Sequence, residues 1–505
     1  TQSQPIAASN GDILCWNGEV FDGLDVGARN DGIMLMDKIQ ELKLVDRRWF
    51  ILKALEMIEG PYAFVYLDKK QEKLWFSRDF LGRRSLLIRH WDTQTLFLSS
   101  VAGSNDDEYK DERGGAGWEE LPAQRVFCLD LRCESLPFSY SSCIATYHWA
   151  YRDQVPPVTA EAFQPTIPFG QVVLDQQQTP SDPELRLEDG FPTTSDEWRP
   201  YVDGLQAVLS QSIRQRVESI PIQDNDPSAP RVGILFSGGV DCITIAALLT
   251  QMLPQTEPIE LFNVSFENPR QTKAHGASSS KYNVPDRLTG IQGWRELCRI
   301  DPLREWRFVQ VDVPYSQVLE YRSHIRRLLV PSDTVMDMSI GMAIWFAARG
   351  IGNAVSDTGA ETPYTGKAKV LLLGMGADEQ LGGYSRHRSA WDRGGIEALG
   401  LEIRLDVQRI ATRNLGRDDR VVSDTSKEAR YPFLAAAVVD YLSTVPIGRK
   451  MDMRLPRGIG EKLLLRMLAR RLGLMQASVL AKRAIQFGAR TAKMESSNTK
   501  GQDSL

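Results

Sequence analysis

Short bursts of apolar residues separated by turn residues mark the first third of the chain. The runs Ile13–Trp16, Ala63–Leu67, Leu74–Ser77, Leu86–His90, Leu96–Ser99 and Val126–Leu131 predict strands, and with them a β-rich domain over residues 1–150. The pattern then dissolves. Residues 151–195 are rich in Pro and Gln, as in Val155-Pro156-Pro157 and Asp175-Gln176-Gln177-Gln178, and read as a linker and covering loop. Helical spacing begins after Trp198, at Tyr201, Leu205, Val208, Leu209 and Ile213. Beyond it, continuous apolar runs (Arg231–Phe236, Ile259–Phe266, Trp306–Val313, Val370–Leu373) alternate with helical segments to near residue 490. Continuous rather than alternating apolar runs, with helices between them, predict a parallel sheet covered on both faces over residues 196–493. A low-complexity patch from His275 to Lys281 reads as a surface insertion, and 494–505 as a polar tail.

A chain of 505 residues is long enough for at least two separate cores. The net charge of -5 carries no nucleic-acid footprint. Every apolar stretch is interrupted well short of the ~20 residues a membrane-spanning helix needs. Six cysteines form no Cys-x-x-Cys pair and no disulfide framework, which predicts a reducing interior. The start, Thr1-Gln2-Ser3-Gln4-Pro5, has neither a basic nor an apolar leader segment, so the expected compartment is the cytoplasm, with the nucleus left open. The five histidines have no ligand spacing, and a structural zinc is not expected.

Chemistry concentrates at Val232-Gly233-Ile234-Leu235-Phe236-Ser237-Gly238-Gly239-Val240-Asp241, where a strand, a glycine turn and the helical run from Cys242 to Leu253 follow in immediate succession. Adjacent glycines remove the Cβ atoms that would block a phosphate, and the helix start adds partial positive charge. Ser237 offers a hydroxyl donor, and Asp241 a carboxylate for the Mg²⁺ that accompanies a triphosphate. The bland alternative is a plain turn, with Asp241 as a first-turn carboxylate favoured by the helix dipole. No Gly-Lys-Ser/Thr follows, so this is not the Walker-type phosphate loop.

A second glycine loop, Leu373-Gly374-Met375-Gly376-Ala377-Asp378-Glu379, again leaves an apolar strand. Loops at the carboxyl ends of parallel strands meet where the strand order reverses, which would set Asp378 opposite Asp241 across one nucleotide, the two sharing a metal. The alternative is that Asp378 and Glu379 cap the helix that follows.

These two loops, followed by Arg409–Arg420, by Glu428-Ala429-Arg430-Tyr431-Pro432-Phe433-Leu434 and by Lys482-Arg483-Ala484-Ile485-Gln486-Phe487-Gly488, resemble the ordered motifs of the asparagine synthetase family. Within that family, Tyr384–Arg388 and Leu455–Arg466 point to one subgroup. The first domain agrees: Trp16-Asn17-Gly18-Glu19-Val20-Phe21 and Arg78-Asp79-Phe80-Leu81-Gly82-Arg83-Arg84-Ser85-Leu86 resemble class II glutamine amidotransferases. The resemblance implies an α+β N-terminal class II glutamine amidotransferase-like (Ntn) domain joined to an α/β parallel-sheet ATP-pyrophosphatase (adenine nucleotide alpha hydrolase-like) domain.

It further implies ATP and Mg²⁺ as cofactors, and small-molecule substrates: glutamine or ammonia and an aspartate-like acid. ATP activates the acid as an adenylate, and ammonia displaces AMP. By motif, Ser237, Gly238, Gly239 and Asp241 hold pyrophosphate and metal, Asp378 holds metal, and Gly374 lies by the ribose. Leu235 stacks on adenine, Val264 and Ser265 read it, and Lys482 stabilises charge at phosphorus. In the first domain Asn17 and Gly18 line the oxyanion hole, while Glu19 and Asp31 bind the glutamine amino group. Oligomeric state and protein partners are left open.

Two departures limit what the resemblance implies. Typical asparagine synthetases carry glutamate where this chain has Met375, which neither accepts a proton nor binds a cation by charge; that leaves open an ATP-dependent adenylating enzyme with a substrate other than aspartate, or a catalytically weak family member acting as a subunit of a protein complex. Their glutaminase nucleophile is an N-terminal cysteine far upstream of the Asn-Gly-Glu strand, whereas only sixteen residues precede Asn17 here. The expectation is that the start of that domain lies upstream of this sequence, that Thr1 is no substitute nucleophile, and that Cys15 is a buried strand residue.

Overall fold

In the computed structural model the chain separates into two units, residues 1–171 with 408–420, and residues 172–407 with 421–505. The structure describes residues 3–27, 29–90, 95–103, 117–133, 143–154, 163–170, 187–188, 191–192, 197–221, 229–267, 279–493 and 503. Most of the 151–195 segment, the start of the 275–281 patch and nearly all of the polar tail lie outside these residues. Among the described residues no helix is long and apolar enough to cross a membrane.

In the first unit the short apolar runs become strands: β1 (Ile6–Ala7), β2 (Ile13–Gly18), β3 (Tyr62–Asp68), β4 (Lys73–Arg78), β5 (Leu87–His90), β6 (Leu96–Ser99), β7 (Trp118–Glu120), β8 (Arg125–Asp130) and β9 (Ile144–His148). They form an antiparallel sheet in the order β1-β2-β3-β4-β8-β9 and a smaller one, β6-β5-β7. A two-residue pair, β10 (Ala150–Tyr151) and β11 (Thr166–Ile167), completes the strands of this unit. Side chains alternate across the larger sheet. Trp16, Phe64 and Tyr66 share one face, where Phe50 meets Tyr66 and Trp75 edge-on at 5.9 and 6.3 Å. That face is covered by helices α1 (Asp31–Val45) and α2 (Phe50–Met57). Ala63, Val65, Phe76 and Phe127 occupy the other face and pack with Leu86, Ile88, Leu96 and Leu98 near the smaller sheet. Cys15, on that second face, is exposed rather than buried, because it lies near the margin of the sheet, away from this core.

The sequence pattern missed α1 and α2. In α1 the apolar residues are crowded rather than periodic, and Leu44 and Val45 at its end are 85% and 84% exposed. Cys133 and Cys143 are joined in a disulfide, a pairing the sequence reading did not expect.

The Arg78–Leu86 run is a closed structural turn. Arg78, fully buried, donates to the carbonyls of Arg84 (2.6 Å) and Leu121 (3.2 Å) and pairs with Glu120 at 3.0 Å. Asp79 accepts from the Tyr62, Leu81 and Arg83 backbone amides and from Arg83 Nε. Residues 408–420, read from sequence as part of the C-terminal domain, complete this turn. Asp419 accepts from Arg84 Nη1 at 3.0 Å and the Ser85 amide at 2.8 Å, and Arg420 pairs with Glu120 at 2.7 Å.

The second unit is built on a seven-stranded sheet. Its strands are β14 (Val232–Leu235), β15 (Ile259–Phe266), β16 (Trp306–Val313), β17 (Ile351–Val355), β18 (Glu361–Thr365), β19 (Val370–Leu372) and β20 (Glu428–Arg430); two short pieces, β12 (Leu187–Glu188) and β13 (Phe191–Pro192), pair separately. The order is β18-β17-β16-β15-β14-β19-β20, with β16, β15, β14, β19 and β20 mutually parallel and the β17–β18 hairpin antiparallel at one edge. The four apolar runs are the central strands, and all eight residues of β15 are buried. The hairpin escaped the sequence pattern because Gly352 and Asn353 break up the apolar residues of the half-buried β17 and β18 is polar and mostly exposed, so no continuous apolar run signals it.

Helices α3 (Arg199–Glu218), α4 (Val240–Leu249), α5 (Pro285–Ile300), α6 (Tyr315–Leu329), α7 (Val335–Arg349), α8 (Ala377–Leu381), α9 (Ala436–Thr444) and α10 (Leu463–Arg471) surround this sheet. Leu205, Leu209 and Ile213 of α3 and Leu464, Leu465 and Leu468 of α10 join the sheet's main core, while Phe346 of α7 meets Phe266 of β15 edge-on at 5.7 Å. Along the parallel strands, chain order runs outward in both directions from β14. Its neighbours are β15 and β19, so the connections leave in opposite senses between β14 and β19 and open a crevice at their carboxyl ends.

Candidate functional site

The turn after β14 is forced by its neighbours. Gly238 has φ +77°, and a Cβ there would stand 2.1 Å from the Thr289 carbonyl oxygen. Thr289 Oγ1 donates to the Ser237 carbonyl at 2.7 Å, and the Gly239 amide donates to Ser237 Oγ at 3.3 Å. The turn thus delivers Asp241 into the first turn of α4. On the adjacent strand, Gly374 lets the two loops touch, since a Cβ there would lie 2.8 Å from Asp241 Cβ.

Asp378 and Glu379, neighbours in α8, divide their roles. Glu379 is buried and accepts from the Gly376 amide (3.1 Å) and Tyr384 Oη (2.7 Å), so it closes the helix start. Burial, reinforced by the charge of Asp378, holds its carboxyl above the usual range. Asp378 faces Asp241 instead, and Lys462 lies between them. Its Nζ is 2.7 and 2.6 Å from the two Asp241 oxygens and 2.6 Å from Asp378 Oδ1. Lys482 donates to Asp378 Oδ2 and lies 3.9 Å from Asp241. Burial alone would raise Asp378, but the two ammonium groups outweigh it and hold the carboxyl well below its usual range. Lys482 is held above the ordinary lysine range, the charges of Asp378 and Asp241 outweighing its desolvation.

A cavity of about 800 Å³ opens over these residues. Leu235, Phe236, Phe262, Val264, Ile344, Ala347 and Leu373 give it an apolar wall; Ser237, Gly239, Asp241, Gly374, Asp378, Lys482 and Arg483 give it a polar end. A second cavity of about 450 Å³ shares Ser237, Gly239, Asp241, Asp286, Lys482 and Arg483, and adds Thr289, Lys462 and Arg466. Apolar side chains and convergent polar groups lining one cavity suit a ligand with an apolar part and a charged part.

Of the residues named from sequence, Leu235, Ser237, Gly239, Asp241, Val264, Gly374, Asp378 and Lys482 line the cavity. Gly238 shapes the turn without lining it, and Ser265 is fully buried in β15, its hydroxyl without a hydrogen-bond partner. Met375 also lines the cavity.

Three residues were missed. Lys462 lies within a quoted motif but carries no spacing signal of its own. Asn263 does have one, as a polar residue within an apolar strand run. Its amide donates to the carbonyls of Phe236 and Asp286, both at 2.8 Å, and its oxygen accepts from Arg287 at 2.7 Å, joining β15, the first loop and α5. Asp286, in the first turn of α5, lines both cavities. Burial raises its carboxyl to about 7, against the pull of Lys482 and Arg483.

Among the described residues, no group of three or more His, Cys, Asp or Glu side chains gathers to hold a metal. The Asp241–Asp378 pair nevertheless presents three oxygens to one ammonium nitrogen, a hard-donor set of the kind Mg²⁺ accepts together with phosphate oxygens.

The glutamine-binding residues named from sequence are less convergent. Asn17, at the end of β2, is exposed, and its side-chain amide donates to Ser100 Oγ at 3.4 Å. Gly18 is pressed against β3, where a Cβ would fall 2.5 Å from the Pro61 carbonyl oxygen, and the Glu19 amide donates to that same oxygen at 2.9 Å. Asp31 does not join them. It accepts from Trp16 Nε1 at 3.2 Å, and Trp16 points to the helix-covered face of β2, opposite Asn17.

Residues 1–104 match the family described as glutamine amidotransferase domain, and residues 393–500 match the family described as asparagine synthase. The chain is 36% identical to asparagine synthetase domain-containing protein 1 of Mus musculus, over 99% of this chain and 89% of that protein. Identity to the Homo sapiens protein of the same description is also 36%, covering 99% of this chain and 87% of that one. An asparagine synthetase [glutamine-hydrolyzing] of Gallus gallus is 20% identical over 90% of this chain and 67% of that protein.

Proposed function

We infer, since the chain belongs to the family of asparagine synthetase domain-containing proteins, that its C-terminal unit is an ATP-pyrophosphatase-type domain that activates a carboxylate with ATP for amide formation. The carboxylate oxygen attacks the α-phosphorus, pyrophosphate leaves, and an acyl-adenylate forms. Ammonia then attacks the acyl carbon, AMP leaves, and the nitrogen gives up a proton. The reading is carried by the convergence of Ser237, Gly239, Asp241, Gly374, Asp378 and Lys482 on one cavity beside the β14–β19 crevice.

Adenine suits the apolar wall at Leu235 and Val264. The triphosphate suits the glycine turn, where Asp241 and Asp378 would hold Mg²⁺, which draws charge from the phosphate oxygens. Lys482 is placed for the negative charge that builds at the α-phosphorus, and its partners keep it protonated at every physiological pH. The acceptor is an aspartate-like acid, with ammonia supplied by glutamine hydrolysis. For glutamine binding, Asn17, Gly18 and Glu19 remain together, while Asp31 positions α1 through Trp16.

Met375 favours a second reading. An apolar thioether lines the cavity where the asparagine synthetase resemblance calls for a glutamate. A protein that binds nucleotide but turns over slowly, serving as a subunit of an assembly, accommodates that exchange. Both readings require nucleotide binding. Millimolar Mg-ATP should raise the melting temperature of the full chain, by about 2.7 kcal/mol of stability at a hundred times Kd. Asp241→Asn should erase the shift. Lys482→Met should keep most of it while pyrophosphate release with aspartate and ammonium falls about 100-fold. No shift in the wild type ends both readings; a shift without pyrophosphate release leaves the second.

A further inference from the structure

We propose that Lys462 is a built-in cation that stands in the metal position between Asp241 and Asp378, so that the nucleotide-free protein excludes free divalent ions. The proposal rests on the reading of these two aspartates as the metal-holding pair.

Two carboxylates brought together in a cavity repel each other unless a cation neutralises them. In this chain the neutralising charges are covalently attached: Lys462 bridges both carboxylates, and Lys482 adds a second ammonium on Asp378 alone. The Lys462 nitrogen lies within 2.6–2.7 Å of three carboxylate oxygens from two residues, donating to both Asp241 oxygens and pairing by charge with Asp378 Oδ1. Its side chain is 1% exposed, so it exchanges none of these contacts for water.

The fold makes room for it at cost. Lys462 has φ +58°, a left-handed conformation that residues with a Cβ seldom adopt, at the start of α10. Its amide is tied at 2.9 Å to the carbonyl of Leu381, the last residue of α8, the helix that carries Asp378. Gly383 leaves the space through which its stem passes: a Cβ there would be 2.4 Å from Lys462 Cε and 1.8 Å from Asp378 Oδ1. The strained backbone, the amide tie and the glycine gap all serve to bring one ammonium to one point.

A divalent ion draws its oxygens to about 2.1 Å and cannot share those three oxygens with an ammonium at hydrogen-bond distance. Metal therefore enters only when something else receives the Lys462 charge. The triphosphate does so, because the second cavity places Lys462 and Arg466 beside Ser237 and Gly239. Metal and nucleotide accordingly load together, with Lys462 passing from carboxylate to phosphate oxygens.

Mn²⁺ titration of the full chain, followed by electron paramagnetic resonance, tests this. Without nucleotide, the wild type should bind no Mn²⁺ below millimolar concentration. Lys462→Met should gain one site at least tenfold tighter, which Lys462→Met/Asp378→Asn loses, and Lys462→Arg should behave as wild type. Equal Mn²⁺ affinity in the wild type and in folded Lys462→Met overturns the proposal, and so does a folded Lys462→Met that binds none. Should Lys462→Met not hold its fold in metal-free buffer, Mn²⁺ must restore the melting transition of Lys462→Met or Lys462→Gln; absence of rescue in both also overturns it. A wild type that ignores Mg-ATP while Lys462→Met binds Mn²⁺ would remove the nucleotide reading and leave this one standing.

Discussion

Asp241 and Asp378 come from separate loops and end 2.6 Å from a single ammonium nitrogen, whereas Trp16 and Asn17, neighbours on one strand, point to opposite faces of their sheet. Both regions drew attention through short motifs of similar strength. In the C-terminal unit, the strand order places two motif loops side by side, and their side chains converge. In the N-terminal unit, the Arg78–Leu86 motif spends its charged groups on its own backbone and on Glu120 and Asp419. The contrast teaches that motif strength alone does not separate chemistry from architecture. What separates them is whether the polar atoms face a cavity or face each other.

The largest test of that contrast is Arg78→Met. If the motif is architectural, removing a fully buried guanidinium that serves the carbonyls of Arg84 and Leu121 should cost about 3 kcal/mol. Urea unfolding with hydrogen exchange read in β3 and β4 measures it. A loss below about 1 kcal/mol would show the turn to be dispensable to the fold.

Asp286 gives a smaller effect with a pH signature. Its carboxyl titrates near 7 in the folded protein against 3.8 ordinarily, because it is buried in the cavity wall. Between about pH 4 and 7 the folded chain keeps a proton that the unfolded chain has lost, so stability falls across that window and levels off above it. Asp286→Asn should leave stability at pH 4 unchanged and raise it at pH 8 by on the order of 1–3 kcal/mol. A variant-to-wild-type difference that is flat from pH 4 to pH 8 would place the ionised carboxylate in a better environment than the one described.

The smallest effect belongs to Asn17→Ala. With an exposed side chain and one 3.4 Å contact, it should change stability by less than about 0.5 kcal/mol, within the scatter of replicate melts. A larger loss would mean that Asn17 holds the fold, and would erase the difference between the two ends of β2.

Sequence made the parallel strands and both glycine loops legible, because each rests on local rules: continuous apolar runs for buried strands, and glycine where a Cβ has no room. Gly238 and Gly374 obey that rule at 2.1 and 2.8 Å. Lys462 was illegible because its importance comes from a backbone conformation and a gap at Gly383, neither of which has a spacing. The contact between Asp31 and Trp16 Nε1 was illegible for a related reason, since a family motif carries residue identity but not which face of a strand a distant helix start will cover. Helix α1 was lost because its apolar residues do not fall at helical spacing, and α2 because its eight residues are too short for an apolar run to be told from a strand.

The segment 408–420 sets a timetable for biosynthesis. Arg84, buried and bonded to Asp419, waits for a partner 335 residues further along the chain. At a translation rate of about 5–20 residues per second, that delay is on the order of tens of seconds, during which the nascent N-terminal unit carries Arg84, Ser85 and Glu120 without their later counterparts. Maturation of the first unit is therefore governed by the arrival of a late peptide, and a ribosome that stalls before residue 420 releases a product whose N-terminal unit is unfinished as well as its C-terminal one.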